Sequence, residues 1–218
     1  MAKVKGDGNC YLCGKTLGKT AMKNHILKEH SSGDEECVLL EVEGAYANGY
    51  WILIDLPMNK TLDAVDKFLR RIWLECCGHL SKFDGAAKTR KLSALTKGDQ
   101  FVHEYDMGTT TECVITVVGE TLRPKQGKRG DTVRLLARNI APVFECEGCG
   151  KPAKHICQIC MYDSDNPFYC EECAKKHEHE EMLPITNSPR NGECGYDGEF
   201  DDLAFDPANV KESGKVKE

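Results

Sequence analysis

Between Cys146 and His179 the chain reads C-x-x-C, seven residues, C-x-x-C, nine residues, C-x-x-C, then His177 and His179. Six thiols and two imidazoles in so short a span form the donor set of two four-coordinate zinc ions. A C-x-x-C turn carries two sulfurs to one ion from a single loop. Gly150 follows the first pair, where such a turn needs a residue that accepts positive φ. A redox C-x-x-C normally occurs once, beside a βαβ pattern, which this stretch lacks. Structural disulfides would need an oxidising compartment. Two pairings are open. In a cross-brace, Cys146, Cys149, Cys170 and Cys173 share one ion, while Cys157, Cys160, His177 and His179 share the other. In a sequential arrangement the first four cysteines stay together. Cys173 and His177, four apart, would face the same way on a helix, which favours the sequential form.

The text ECEGCGKPAKHICQIC, with its seven-residue gap and its closing cysteines and histidines, resembles the opening and close of a B-box zinc finger. That resemblance implies the interleaved pairing and a role as an interaction module. The nine-residue gap is longer than in that family and His177-x-His179 is tighter, so Cys194 stands as the alternative to His179 as eighth ligand.

A second site lies at the other end. Cys10-Tyr-Leu-Cys13 is separated by eleven residues from His25, and His30 follows. This resembles the two-Cys-two-His zinc finger, one residue short in the gap. Leu17 and Met22 stand where that family places core residues. Residues 19–30 are predicted as its helix, with Gly14 and Gly18 in the turn before it and Gly33 after it. So small a unit folds on metal energy rather than apolar burial. Lys3, Lys5, Lys15, Lys19, Lys23 and Lys28 outnumber Asp7 and Glu29 there. Lys19, Thr20 and Lys23 fall near the base-reading positions of such fingers, which makes DNA or RNA the alternative ligand to a protein.

The elements that must position these ends lie between them. CVLLEVEG and GYWILIDLP read as strands, with Asn48-Gly49 a hairpin signal. Thr61 is the expected N-cap of a helix whose stripe is Leu62, Val65, Leu69, Ile72 and Cys76, ending at Gly78. QFVHEYDMG, ECVITVVGE and DTVRLLARN read as three further strands. The fold class expected is α+β: a mainly antiparallel sheet with one main packed helix on one face, flanked by two small zinc modules. The boundaries expected are 1–32 for the finger, 33–141 for the α+β domain, 142–196 for the B-box-like module and 197–218 for an acidic, disordered tail.

YWILIDLPMNKTLDAVDKFLRRIW, His79-Leu-Ser-Lys-Phe83 and Phe101 to Gly108 occur in the order seen in the plasmid pRiA4b ORF-3-like family, which this half of the chain resembles. Cys77-Gly78 replaces that family's Gly-Trp, and no tryptophan follows the Tyr105-Asp106 element. The resemblance implies a fold and no reaction. His79, His103, Glu104, Asp106 and Cys113 are the candidates for catalysis, and no G-x-S-x-G, Walker loop or H-E-x-x-H accompanies them. Cys37, Cys76, Cys77 and Cys113 read as small core hydrophobes. Arg123, Lys125, Lys128, Arg129, Arg134 and Arg138 oppose a single acid, Asp131, and could form a basic loop over 123–138.

Across 218 residues the formal charge is −6, which argues against a basic nucleic-acid coat. No h-region or membrane-length apolar run is present. Thirteen cysteines, an odd number with eight in C-x-x-C pairs, fit a reducing cytoplasm. The expectation is therefore a cytoplasmic, non-catalytic, zinc-binding interaction or regulatory protein with a protein partner and about three zinc ions per chain. A nucleic-acid binder is the first alternative and an enzyme of unknown reaction the second.

Overall fold

The computed structural model describes residues 6–47, 49–125 and 132–210. Asn48, Lys3, Lys5, Lys128, Arg129, Asp131 and the last eight residues lie outside them. The elements run β1 (Asp7–Cys10), β2 (Thr16–Gly18), α1 (Lys19–Glu29), β3 (Glu35–Gly44), β4 (Trp51–Pro57), α2 (Leu62–Leu69), β5 (Ser81–Phe83), β6 (Gln100–Tyr105), β7 (Thr111–Arg123) and β8 (Arg134–Asn139). After them come β9 (His155–Cys157), α3 (Cys160–Asp163), β10 (Phe168–Tyr169), α4 (Glu171–Ala174) and β11 (Met182–Pro184).

One eight-stranded sheet has the order β2-β1-β8-β4-β3-β7-β6-β5, and its named pairs are all antiparallel. The α+β expectation holds, with one addition. β1 pairs with β8, so the finger extends the central sheet rather than standing apart at a boundary near residue 32. Gly8 is what lets it dock. A Cβ there would lie 2.5 Å from the Arg138 carbonyl and 2.6 Å from the Trp51 ring, so no other residue fits without a shift.

Both faces of the sheet are covered. Val38, Leu40 and Val42 of β3 and Ile52, Ile54 and Leu56 of β4 pack toward α2 and Trp73. Leu39, Trp51 and Leu53 turn the other way, onto Met22 and Ile26 of α1. Every residue of β4 is buried, which is why WILIDL reads as a continuous apolar run instead of an alternation. The second face, which the sequence left without a helix, is closed by the helix of the finger.

α2 carries the predicted stripe, with Leu62, Val65, Leu69 and Ile72 fully buried. Thr61 sits at the N-cap position but its hydroxyl makes no cap bond. Instead the Leu62 and Asp63 amides donate to the carbonyls of Arg90 and Lys88, at 3.1 and 2.8 Å. Past Leu69 the helix widens into a π turn, Arg70–Leu74, closed by the Glu75 amide on the Arg70 carbonyl. The change of pitch ends the stripe before it reaches Cys76 and Gly78.

Residues 186–205, expected as the end of the metal module and part of a disordered tail, run as a strap across the α+β domain. Ser188 donates to the Trp73 carbonyl at 2.6 Å and Asn191 to the Tyr50 hydroxyl at 2.9 Å. Arg138 grips Asp201, and the Tyr11 hydroxyl donates to the Leu203 carbonyl at 2.7 Å. Asp201, Leu203 and Phe205 are therefore in contact with the domain and the finger, Phe205 lying edge-on to the Tyr11 ring.

A polar knot ties α2 to the sheet. Asp66 accepts from Ser81 at 2.6 Å and Lys88 at 2.8 Å, and its Oδ1 lies 2.7 Å from Nε2 of the fully buried His103. Burial opposes the charge on Asp66, but these three partners outweigh it and hold the carboxyl well below its ordinary value. Removing one side of such a pair strands the other. Asp66→Ala is expected to cost about 3–5 kcal/mol in urea unfolding. Because the folded carboxyl titrates below the unfolded one, this contribution is in place above the unfolded value of about 3.9 and fades as pH falls through the folded value. An unfolding midpoint equal to wild type at neutral pH would show the knot to be without energetic weight.

Candidate metal centres

Four clusters bring Cys and His ligand atoms within 4.8 Å of one another, and each could hold a metal ion. A tetrahedral ion with metal–sulfur bonds near 2.3 Å and metal–nitrogen bonds near 2.0–2.1 Å implies ligand–ligand edges of about 3.3–3.8 Å.

The finger brings Cys10, Cys13, His25 and His30 together. Cys13 Sγ is 3.2 Å from His25 Nε2, which is 3.1 Å from His30 Nε2. Cys10 ends β1 and Cys13 lies in the turn after it, where the Gly14 amide closes back on the Cys10 carbonyl at 2.9 Å. His25 lies on α1, and His30 caps its end, its amide donating to the Ile26 carbonyl. Glu29 lies 3.3 Å from His25 Nδ1, the ring atom facing away from the cluster, as a partner that fixes a ligating imidazole does.

In the C-terminal module the ligand atoms gather into two groups of four. Cys146, Cys149, Cys170 and Cys173 form one cluster, and Cys157, Cys160, His177 and His179 form the other. The clusters interleave along the chain, as a cross-brace does. Cys149 and Cys170 sulfurs are 3.6 Å apart. Cys160 Sγ is 3.2 Å from His177 Nε2 and 3.4 Å from His179 Nδ1. His179, and not Cys194, is the residue gathered with Cys157, Cys160 and His177, and Cys194 lies in another cluster. The sequential pairing would need Cys173 and His177 together, but they lie in different clusters, and α4 ends at Ala174. A small sheet, β10-β9-β11, holds the two knuckles in register. Gly150 has φ +69°, as the turn requires, and its amide donates to the Cys146 carbonyl at 2.8 Å.

Thiols packed this closely cannot all ionise unaided. Burial opposes charge on Cys146, but the Cys170 amide and the thiols of Cys149 and Cys173 outweigh it and bring it to about 6. The sulfurs of Cys146, Cys149 and Cys170 in turn push Cys173 up to about 12. A bound cation removes that conflict by favouring every thiolate at once.

The fourth cluster lies outside the sequence-based expectation. Cys76, Cys77, His79 and Cys194 meet where the π turn leaves α2 and the strap returns. The Cys76 and Cys77 sulfurs are 3.7 Å apart, and those of Cys77 and Cys194 3.8 Å. His79 Nε2 lies 3.0 Å from Cys77 Sγ and 3.2 Å from Cys194 Sγ. Cys77 is therefore no core hydrophobe and Cys76 packs only at the edge of the core, whereas Cys37 and Cys113 are fully buried as expected. The signal was legible: Cys-Cys-Gly-His is three soft ligands in four residues. Extending the helical stripe to Cys76, and taking His79 for part of a family element, concealed it.

Of the catalytic candidates, His79 and Asp106 come together beside the fourth cluster, while His103 and Cys113 lie elsewhere in the core. His103 is sealed in the core against Asp66, away from Glu104 and Asp106. Asp106 has φ +66°, so the strand alternation that would have set it beside Glu104 ends at Tyr105. It lies 3.4 Å from His79 and accepts from Arg190 at 2.8 Å.

The chain matches no family model, and a comparison with curated proteins found no match. Among solved structures it is similar to a protein of unknown function from Methanosarcina mazei Go1, at 15% identity and a TM-score of 0.39, over 50% of this chain and 70% of that one. A likeness at that level carries no argument. Among the described residues no helix is long and apolar enough to cross a membrane.

If cations hold the two terminal units, a strong chelator will release amide protection in α1 and in β9–β11 while β3, β4 and α2 keep theirs, as read by hydrogen exchange. Unchanged protection at both termini would show that packing alone suffices.

Proposed function

We propose that this protein is a zinc-binding, non-catalytic interaction or regulatory protein. In this reading one zinc ion sits in the finger and two in the C-terminal module, and the module is offered to a protein partner in a reducing, cytoplasmic setting. The observation that carries it is the interleaving of the Cys146 and Cys157 clusters in one small unit with little core of its own. Zinc suits the donors: thiolate and imidazole, four to a site, none left open for substrate. The interleaving also supports the likeness to B-boxes, and the order of α2, His79-Leu80 and Tyr105-Asp106 supports the pRiA4b ORF-3-like reading of the central domain.

The disposition of basic side chains speaks against nucleic acid. Lys19 pairs with Glu43, Lys23 with Glu41 at 2.6 Å, and Lys15 with Glu29 at 2.8 Å. The residues nearest the base-reading positions, Lys19 and Lys23, are thus committed to acids of β3. In the 123–138 stretch, Arg123 is buried against Glu35 and Asp55, Arg134 pairs with Asp55, and Arg138 with Asp201. Lys128 and Arg129 of the same stretch lie outside the described residues. Phosphate contact needs such cations free.

Two measurements test this reading. Immobilised DNA and RNA are expected to retain none of the full chain at about 50 mM salt; retention that falls steeply with added salt would replace it with the nucleic-acid reading. Cross-linking in cells, read by mass spectrometry, is expected to join partner peptides to Lys151, Lys154, Lys175 or Lys176 of the module. Partner cross-links confined to the α+β domain would move the interaction surface elsewhere.

A further inference from the structure

We propose that Cys76, Cys77, His79 and Cys194 hold a fourth metal ion, a borderline-soft divalent cation such as zinc, which clasps the 186–205 strap to the α+β domain. This ion adds to the three already assigned and does not depend on them.

Three thiols and one imidazole are a complete tetrahedral zinc set, and closed four-ligand sites of this composition are structural. Their spacings, 3.7 and 3.8 Å between sulfurs and 3.0 and 3.2 Å from sulfur to nitrogen, match the other three clusters. The thiols are free. Cys77 is about equally far from Cys76 and Cys194, so the arrangement surrounds a point rather than pairing two sulfurs.

The surroundings are built for charge. Three thiolates around a divalent cation leave one negative charge. Arg190, with no exposed surface, sits beside it, its Nη2 donating to Cys76 Sγ at 3.6 Å and to Asp106 at 2.8 Å. Tyr105 Oη lies 3.9 Å from Cys76 Sγ and donates to Glu75 at 2.9 Å. The Gly78 amide donates to the same carboxylate oxygen, Glu75 Oε1, at 2.5 Å. These bonds hold the Cys76–His79 corner in shape.

The backbone adds a second, independent observation. Among the described residues the non-glycine positions with positive φ are Asp106 and Cys194, at +66° and +46°. Both adjoin this cluster. Such conformations persist where the surroundings over-determine them. At Cys194 the twist is what turns the thiol toward Cys77 and His79.

The consequence is mechanical. Ser188, Arg190 and Tyr196 are buried in the domain, but their segment comes from beyond the C-terminal module. One ion joining residue 194 to residues 76–79 ties two distant parts of the chain. Unlike the other clusters, this one has no buried ligand, and Cys77 and Cys194 are exposed. Its ion is the most open to solvent and to exchange.

Metal content of the full chain, reconstituted with zinc, desalted and weighed intact under native conditions, tests this. Wild type is expected to carry four ions, and Cys77→Ser and Cys194→Ser three each, with cleavage by a protease between residues 186 and 205 rising at least several-fold in both. A wild-type count of three, or variants that keep the full wild-type count, would overturn the proposal. Should either variant fail to fold, the wild-type count decides alone. Cys10→Ser and Cys157→Ser serve as separate controls: if they lose no ion, the three-site reading fails, whatever Cys77 does.

Discussion

The constraint on which the rest depends is that β3 and β4 are buried on both faces. A strand pair in the middle of a sheet, apolar on each side, must be covered twice, and among the described residues the α+β domain supplies one α-helix of its own, α2. The second cover is α1, an eleven-residue helix. Helices of that length are marginal on their own. Its hold on the sheet rests on Met22 and Ile26, and its own shape rests on His25 and His30 meeting Cys10 and Cys13. Ligand chemistry at one end of the chain and apolar packing at its centre are thereby a single problem. Loosening the finger exposes Leu39, Trp51 and Leu53.

Charge is handled the same way, by turning it inward and pairing it. Asp55 sits in the middle of β4 with no exposed surface, held by Arg123 and Arg134. Arg138 is spent on Asp201 and Arg190 on Asp106. Several of the protein's arginines are thereby turned inward and paired rather than left on the surface. What looked in the sequence like a basic stretch is partly the interior wiring of the sheet.

Much of this was readable beforehand, because metal ligands and strand residues obey short-range rules. C-x-x-C spacing identified the terminal clusters, and continuous apolar runs identified β3 and β4. What could not be read was anything set by contacts distant in sequence. The apolar run of β4 required a second helix, but nothing local said that it would be α1. The pairing of Cys194 with Cys77 spans 117 positions. The π turn after Leu69 broke the 3.6-residue period, so a stripe extrapolated through it placed Cys76 in the core. Composition alone made the tail read as disordered, yet Phe205 and Leu203 find Tyr11.

That last contact bears on how the polypeptide is assembled as it is made. β1 emerges first, but its neighbour β8 ends at Asn139 and the residues lying against Tyr11 come later still, at 203 and 205. The segment around Cys10 and His25 is made well before the surface it finally joins. Until then Trp51 and Leu53 have no cover, and a nascent chain stalled before residue 139 would display them to whatever waits at the ribosome exit.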